Sequence, residues 1–554
     1  MTNIVFLGGL GEIGMNMTAI ETSNDIIVID CGISFADNNM SGVSYYAPDM
    51  TYLLLRKHKV RAIYLTHGHE DHIGNIKLFN RYFPDAHIYG SVFTMQLIKT
   101  KIPRRDNYSD FLHDNVSVKT GDFVVTPIHV NHSIPQAYAY HISTPDGTII
   151  HSGDLKVDFW PINEKRTNLK AFKRLGEKGV DLLLLESTNA QNKGHSLSES
   201  IVVDSLDRIF DTYKMNRIII TLFSTNINRI NNIINLSKRY RRNVYISGGY
   251  LRSNVQAGVK AGLIEYDSYS LLDDDGLYNY PDEEVVIITP GCQGEPGSNL
   301  YRIANTMEGC TCLSSNDIVI FSSSIIPGNE EQIRKIKEAI LSCQAKIIDI
   351  SDMQVHSTGH GCRSDLSMII NSVKPKYFTP IHGEKSHLTA NIQLAQEMGV
   401  SPQNIYMPNN GYILEMDKGR VRESSCSFDN GLVYLDNNRE LFKPQEFMSE
   451  RQNIAANGLL IISIAVPSHI SVPMSDDSSS FSIISEFIGG SFITDEYMKE
   501  LKMAIRNIVM SNFDSCKSVD KMKRKVYDML EDKFDIKRES LPIRIYIHGL
   551  RKRK

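Results

Sequence analysis

Within six residues, His67-Gly68-His69-Glu70-Asp71-His72, the chain places three histidines and an aspartate that can all ligate a metal. No other feature constrains it as much. The apolar stretch Ala62–Leu65 just before reads as a strand, so the cluster belongs on a strand-end loop. Imidazole nitrogen and carboxylate oxygen are the ligands zinc takes outside thiolate sites. Such a loop turns His67 and His69 one way and Asp71 and His72 another, which suits two ions a few Å apart. Isolated core or surface histidines do not account for this crowding.

Three later segments complete a ligand set. His129-Val-Asn-His132 offers a histidine. Ser152-Gly153-Asp154 follows the strand-like Thr148–His151 and offers an acid, and Pro380-Ile-His382-Gly383-Glu384 offers a late histidine. Between them the pattern changes. Residues 1–190 alternate short apolar strands with turns: Ile4–Leu7, Ile26–Asp30, Ala62–Thr66, Thr148–Ser152 and Asp181–Glu186. Residues 191–355 pair strands with helices, as in Arg217–Leu222 before Ile227–Arg242 and Asp317–Ser322 before Glu330–Cys343. Residues 356–425 return to strand, loop and histidine. One domain, 1–190 plus 356–425, is therefore expected to be split by an inserted α/β domain, 191–355. A linker is expected over 426–460 and a small α/β domain over 461–554. That last domain should hold helices over Asp495–Met510 and Cys516–Glu531, a strand over Leu541–His548, a polar loop over 474–480 and a basic tail over 551–554.

Composition adds bounds. The 554 residues suit three or four domains, and 42% apolar residues suffice for several cores. The net charge of −4 does not favour a nucleic-acid partner, although a basic groove inside an acidic protein is compatible with one. No apolar run reaches the roughly 18–20 residues of a membrane span. The start leads straight into a strand without a basic leader, so no membrane and a cytoplasmic location are expected. The eight cysteines are scattered, and the one close pair, Cys310 and Cys312, is too tight for a C-x-x-C clip, so free thiols are expected.

Gly9-Leu-Gly11-Glu-Ile-Gly14, with Asp30 some twenty residues on, spells a dinucleotide-binding fingerprint. The next residues, Asn16–Glu21, read as a strand and not as the helix that would receive pyrophosphate. The glycines are expected instead to let backbone turn close to the metal site.

The order HxHxDH, His, GD, late His resembles the metallo-β-lactamase fold, a split αββα sandwich. Glu186, ending Leu182-Leu-Leu-Leu-Glu186, and His356-Ser-Thr-Gly359-His360, with His360 22 residues before His382, resemble the β-CASP signature. Within that branch the chain is similar to the ribonuclease J family. The similarity rests on Gly8–Gly14, Ile128–Pro135, Gly153-Asp-Leu-Lys156, Gln293-Gly-Glu-Pro296, Ile326–Glu330 and Pro375-Lys-Tyr-Phe378.

The resemblance implies that His67, His69 and His132 hold one zinc ion, that Asp71, His72 and His382 hold a second, and that Asp154 bridges them. Manganese or magnesium is an alternative in activity. It implies Asp71, Glu186 and His360 in catalysis, with His360 as general acid. It implies 5′-to-3′ exoribonuclease action on single-stranded RNA with a 5′-monophosphate end, and endonuclease action on some substrates, in RNA processing and decay. It also implies a homodimer or homotetramer formed through the last hundred or so residues, with a paralogue or an RNA-decay assembly as further partners. Thr225, Ser322, Ser323, Ser324, His356, Ser357 and Thr358 are the hydroxyl-rich strand ends and loop expected to cradle the terminal phosphate. Three positions depart from the family pattern: Gln136 in place of Asp, and Thr225 and Thr358 in place of Ser. A small-molecule metallo-hydrolase of the same fold, or a catalytically weak RNA-binding subunit, are the rival readings. The first leaves the insertion unexplained, and the second sits badly with a full ligand set.

Overall fold

The computed structural model describes residues 1–36, 43–103, 111–265, 271–272, 276–307, 311–326, 328–436, 439–440, 444–465, 482–488, 495–512, 518–534, 536 and 542–548. Cys310, the polar run 474–480 and the tail 551–554 lie outside them. The described residues form two compact units, one within 1–34 and 46–433, the other within 35–45 and 434–554.

The first unit contains two sheets packed face to face. One runs Arg420–Ser427, Tyr412–Asp417, Thr2–Gly8, Met17–Glu21, Ile26–Ile29, Val60–Tyr64 and His87–Tyr89 in spatial order. The other runs Tyr377–Ile381, Leu182–Glu186, Gly147–His151, Ala137–Thr144, Phe123–Val130 and Val118–Thr120. Period-two alternation explains the layers. Leu182 and Leu184 join Ile4, Ile27, Tyr64 and Ile149 between the sheets. Leu183 and Leu185 point the other way, onto the helices Leu169–Lys178, Arg363–Val373 and Lys385–Glu397 through Phe172, Ile369, Ile370 and Leu394. All four leucines are fully buried, each worth roughly 1.5–3 kcal/mol of burial. The inter-sheet core contains Ile381, Leu414 and Met416 from beyond the insertion alongside Ile4 and Phe6 from before it. The expected split core is therefore present.

Residues 217–348 build a separate six-stranded sheet, ordered Leu271–Leu272, Asn243–Ile246, Val285–Thr289, Arg217–Thr221, Asp317–Phe321 and Lys346–Ile348. Every pairing in it is parallel, as strands buried on both faces and joined by helices require. Ile219, Ile287, Val319, Ile336 and Ile340 share its core.

In the second unit, Ser482–Ile488, Leu459–Ala465 and Ile543–His548 form a sheet. Leu460, Ile462 and Ile464 pack against Leu501, Ile505 and Val526 of the helices Asp495–Asn512 and Val519–Phe534. The stretch expected as a linker, 426–460, carries the strand Leu432–Asp436 and the helix Pro444–Asn457. Among the described residues, no helix is long and apolar enough to cross a membrane, and six cysteines are unbridged.

Candidate metal centre

The strands Gly147–His151, Leu182–Glu186 and Tyr377–Ile381 are neighbours and run parallel. Their C-terminal ends therefore fall on one edge, which brings Asp154, Glu186 and His382 together from positions far apart in sequence. His132 follows Phe123–Val130 in the same sheet. The facing sheet contributes the loop after Val60–Tyr64 and the short helix Glu70–Ile73, with His67, His69, Asp71 and His72.

The ligand atoms of His67, His69 and His132 lie within 4.8 Å of one another, and so do those of Asp71, His72, Asp154 and His382. In the first group, His69 Nδ1 is 3.0 Å from His67 Nε2 and 3.1 Å from His132 Nε2. The Gly359 carbonyl accepts the His132 Nδ1 proton at 2.7 Å, which leaves the Nε2 lone pair facing its partners. A Cβ on Gly359 would come within 2.8 Å of His132 Nδ1, so glycine is what lets that carbonyl reach the ring. Burial, then the neighbouring rings, hold His67 and His132 well below the ordinary histidine range. Burial pushes His69 down to about 4. The trio is neutral, as ligands must be.

The second group is rich in acid. His382 Nδ1 is 2.7 Å from Asp154 Oδ1, and His72 Nε2 is 3.2 Å from Asp154 Oδ2. Asp154 Oδ2 also lies 3.7 Å from His67 Nε2 and 3.8 Å from His132 Nε2, so it faces both groups. Burial opposes charge on His72, but Asp154, Asp71 and Asp30 outweigh it and raise the ring well above its usual range. His382 is pushed up to about 10 by Asp154 and Asp71 against the same burial. The pocket demands positive charge. A divalent cation answers that demand while leaving both rings neutral. His382 Nε2 is buried without a hydrogen-bond partner, 3.4 Å from Asp71 Oδ2. An orphaned ring nitrogen among carboxylates fits a metal ligand, so the donor set suits a divalent ion.

Two supports escaped the sequence reading. Asp30, the acid of the misleading fingerprint, accepts the Nδ1 proton of His72 at 2.7 Å and is held by the Thr66 amide and hydroxyl. Its position at the end of the strand Ile26–Ile29 was the available signal. Asn16 Nδ2 reaches His72 Nε2 at 3.1 Å and the Asp71 carbonyl at 3.2 Å.

On the rim, His360 Nδ1 is 3.0 Å from Glu186 Oε2, while Leu155 N donates to Glu186 Oε1 at 2.9 Å. Burial opposes the imidazolium, but Glu186 and then Asp154 outweigh it, and His360 titrates above the usual histidine range. The Thr358 hydroxyl accepts from Asn189 and from the His360 amide, so this departure from the family pattern fixes the His360 loop. The Gln136 side chain accepts from Phe93 N at 2.8 Å near the start of the helix Val92–Lys101. An amide oxygen can do there what a carboxylate does.

The expected phosphate-binding residues gather at the C-terminal edge of the parallel sheet. Ser322 N donates to the Thr221 carbonyl, which joins the ends of two neighbouring strands and sets Thr225 and Ser322–Ser324 along one edge. The Ser322 hydroxyl donates to the Val355 carbonyl at 2.7 Å and draws residues 355–358 onto that edge. Most hydroxyls there are already engaged: Ser357 Oγ accepts from Lys156 Nζ at 2.7 Å and donates to the Leu197 carbonyl. Beneath them lies Arg229, fully buried. It donates to the Ser322 carbonyl, to His356 Nδ1 at 2.9 Å and to both oxygens of Glu199. Because an arginine only donates, His356 Nδ1 is an acceptor and Nε2 carries the proton. Burial and then Arg229 push His356 down to about 3, so the ring is neutral, and the cations of this corner are Arg229, paired with Glu199, and Lys156, which has Asp158 at 3.6 Å and whose charge burial opposes. Nothing in the sequence singled out Arg229.

Residues 215–340 match the family model "Ribonuclease J, beta-CASP domain", residues 10–159 match "Metallo-beta-lactamase superfamily", and residues 352–408 match "Zn-dependent metallo-hydrolase RNA specificity domain". Among curated proteins, Ribonuclease J of Helicobacter pylori (strain ATCC 700392 / 26695) is 34% identical over 83% of this chain and 67% of its own length. Ribonuclease J of Mycolicibacterium smegmatis is 35% identical over 78% of this chain and 79% of its own. Ribonuclease J of Synechocystis sp. is 33% identical over 84% and 72%. A solved structure, a protein of unknown function from Enterococcus faecalis V583, superposes with a TM-score of 0.52 at 16% identity. It covers 76% of this chain and 100% of its own, which speaks for the fold alone.

Proposed function

The chain belongs to the ribonuclease J family, and from that premise we propose that it hydrolyses RNA phosphodiesters as a two-metal enzyme, from the 5′ end and with preference for a 5′-monophosphate. The observation that carries this reading is the meeting of a neutral three-imidazole group with an acid-rich group across Asp154, with the His360–Glu186 pair on their rim. His67, His69 and His132 would hold one ion, Asp71, His72 and His382 the other, and Asp154 both. When bound, the ions, zinc in this reading with manganese or magnesium as alternatives, supply an activated water and offset negative charge on the phosphate.

The chain's own residues do the rest. Glu186 accepts from His360 Nδ1 and so presents Nε2 outward with a proton near neutral pH. That proton is placed to pass to the departing 3′-oxygen, which leaves poorly as an alkoxide. The edge formed by Thr225 and Ser322–Ser324, with His356 and the loop 357–358, would receive the 5′-monophosphate. There the His356 Nε2–H donates, and Arg229 and Lys156 supply charge from below. Endonuclease action on some RNAs, and a role in RNA processing and decay in the cytoplasm, belong to the same reading.

Self-association through residues 461–554 is supported by the second unit's sheet. Ser463 pairs with both Ile484 and Tyr546, so these two lie in one cross-strand row. They are 63% and 50% exposed, on the face opposite the core residues Ile462 and Ile464. Sedimentation of wild type against an Ile484→Asp, Tyr546→Asp double variant tests this, and equal sizes would refute it.

The central test is digestion of matched RNAs that differ only in a 5′-monophosphate, triphosphate or hydroxyl. Faster mononucleotide release from the monophosphate supports the proposal. Equal rates on all three would remove the 5′-end pocket, and absence of cleavage would return the chain to the rival readings.

A further inference from the structure

His382 differs from the other ligands in its backbone. Its φ is +51°, in the left-handed region, which costs a residue with a Cβ on the order of 1–3 kcal/mol and persists only when its surroundings hold it. Three main-chain contacts do so. His382 N donates to the Gly9 carbonyl at 3.1 Å, Gly383 N to the Glu12 carbonyl at 3.2 Å, and Ser187 N to the His382 carbonyl at 3.1 Å. Leu10–Gly11 and Gly383–Glu384 form a two-stranded parallel pair around this point. The glycine-rich turn that imitates a dinucleotide site is therefore one jaw of a clamp on His382.

That jaw is itself braced. The Asn410 side chain treats Leu10 as a neighbouring strand would: Leu10 N donates to Asn410 Oδ1 at 3.1 Å, and Asn410 Nδ2 donates to the Leu10 carbonyl at 3.3 Å. The same Nδ2 donates to Glu12 Oε1 at 2.8 Å, and Gly9 N approaches that oxygen at 3.4 Å. Gly9 adopts φ +88°, and a Cβ there would come within 2.5 Å of Asn16 Oδ1. The turn thus packs directly on the residue that touches His72 and Asp71. All these contacts bear on the acid-rich group, and none reaches His67, His69 or His132.

We propose that Glu12 and Asn410 are positioning residues for His382, and that they set the affinity of the acid-rich pocket for its ion without affecting the three-imidazole pocket. The inference rests on the two-metal reading. Zinc titration of the full chain against a competing chelator, with circular dichroism on each sample, tests it. Wild type should bind two ions, and His382→Ala should lose tight binding of one. Glu12→Ala and Asn410→Ala should keep the first affinity and weaken the second about 10- to 100-fold, the usual effect of removing a partner behind a ligand. Glu12→Gln retains the accepting oxygen and should bind nearly as wild type, whereas Asn410→Asp loses the donors to Leu10 and Glu12 and should not. Two unchanged affinities in both alanine variants, with His382→Ala losing one ion, would overturn the inference and leave the two-metal reading standing. Equal weakening of both ions would also overturn it. Retention of both ions by His382→Ala would remove the two-metal reading and the inference with it.

Discussion

The metal centre and the corner around Ser322 and His356 use similar residue types in opposite ways. In the centre, side chains turn their lone pairs inward, and the supports behind them, Asp30, Gly359 and Thr66, fix which ring nitrogen faces in. In the corner, the hydroxyls of Ser322, Ser357 and Thr358 are turned onto the protein's own backbone or onto Lys156 and Asn189. Its cations are the buried Arg229, paired with Glu199, and Lys156. Side-chain chemistry acts directly in the first region. In the second it shapes a backbone.

The largest expected effect separates the two at once. His67→Ala or Asp71→Ala should reduce RNA cleavage below detection and lower bound metal, with circular dichroism unchanged, because the apolar cores lie elsewhere. Near-normal turnover in either variant would break the comparison on the metal side.

Next comes the rim. His360→Ala should retain both metals and RNA binding yet lower kcat by about 10²–10⁴. Glu186→Gln should cost less. It removes the charge that holds His360 above the usual histidine range, so the alkaline fall of kcat, where the acid loses its proton, should move to lower pH. A limb that stays in place would detach Glu186 from His360.

A smaller effect probes the corner. Arg229→Lys keeps a charge but loses the fork to Glu199, Ser322 and His356. It should raise KM for 5′-monophosphate RNA about tenfold, roughly 1.4 kcal/mol, with kcat nearly unchanged. A loss of kcat at constant KM would place Arg229 in the metal centre's economy instead.

Activity itself should stay untouched when the change falls on a buried carboxyl whose role is in stability. Glu164 accepts from Gln136 N, Asn131 and Asn228, and burial pushes its carboxyl up from 4.5 to about 7. The folded state thus binds this proton more tightly than the unfolded chain does. Its stabilising share is complete below about pH 4.5 and is lost as pH rises through 7. Glu164→Gln, which cannot ionise, should therefore gain melting temperature relative to wild type between pH 5 and pH 8, by the equivalent of roughly 2–4 kcal/mol. A constant offset would show that Glu164 does not titrate in that window.

The same contrast explains what the sequence could and could not reveal. His67, His69, Asp71 and His72 are neighbours on one loop, and Asp154, Glu186 and His382 each close an apolar strand, so residue type and strand pattern together mark them. The unbroken apolar run Leu182–Leu185 likewise foretells a strand buried on both faces. Arg229 had no such mark. It lies in an ordinary amphipathic helix, and its importance arises from burial against segments about 93 and 127 residues away. Asn410 is a similar case, meeting Leu10 across 400 residues. Asp30 stands out in the sequence only as part of a dinucleotide-like pattern that the strand Met17–Glu21 rules out, and its contact with His72 arises across 42 residues.

The claim that this chain is a two-metal ribonuclease is tested most directly by stripping the protein with chelator and titrating zinc back while following cleavage of a 5′-labelled, 5′-monophosphate RNA. The account predicts no cleavage without metal and full recovery at two ions per chain. Full activity in the metal-free protein, or saturation at a single ion, would contradict it.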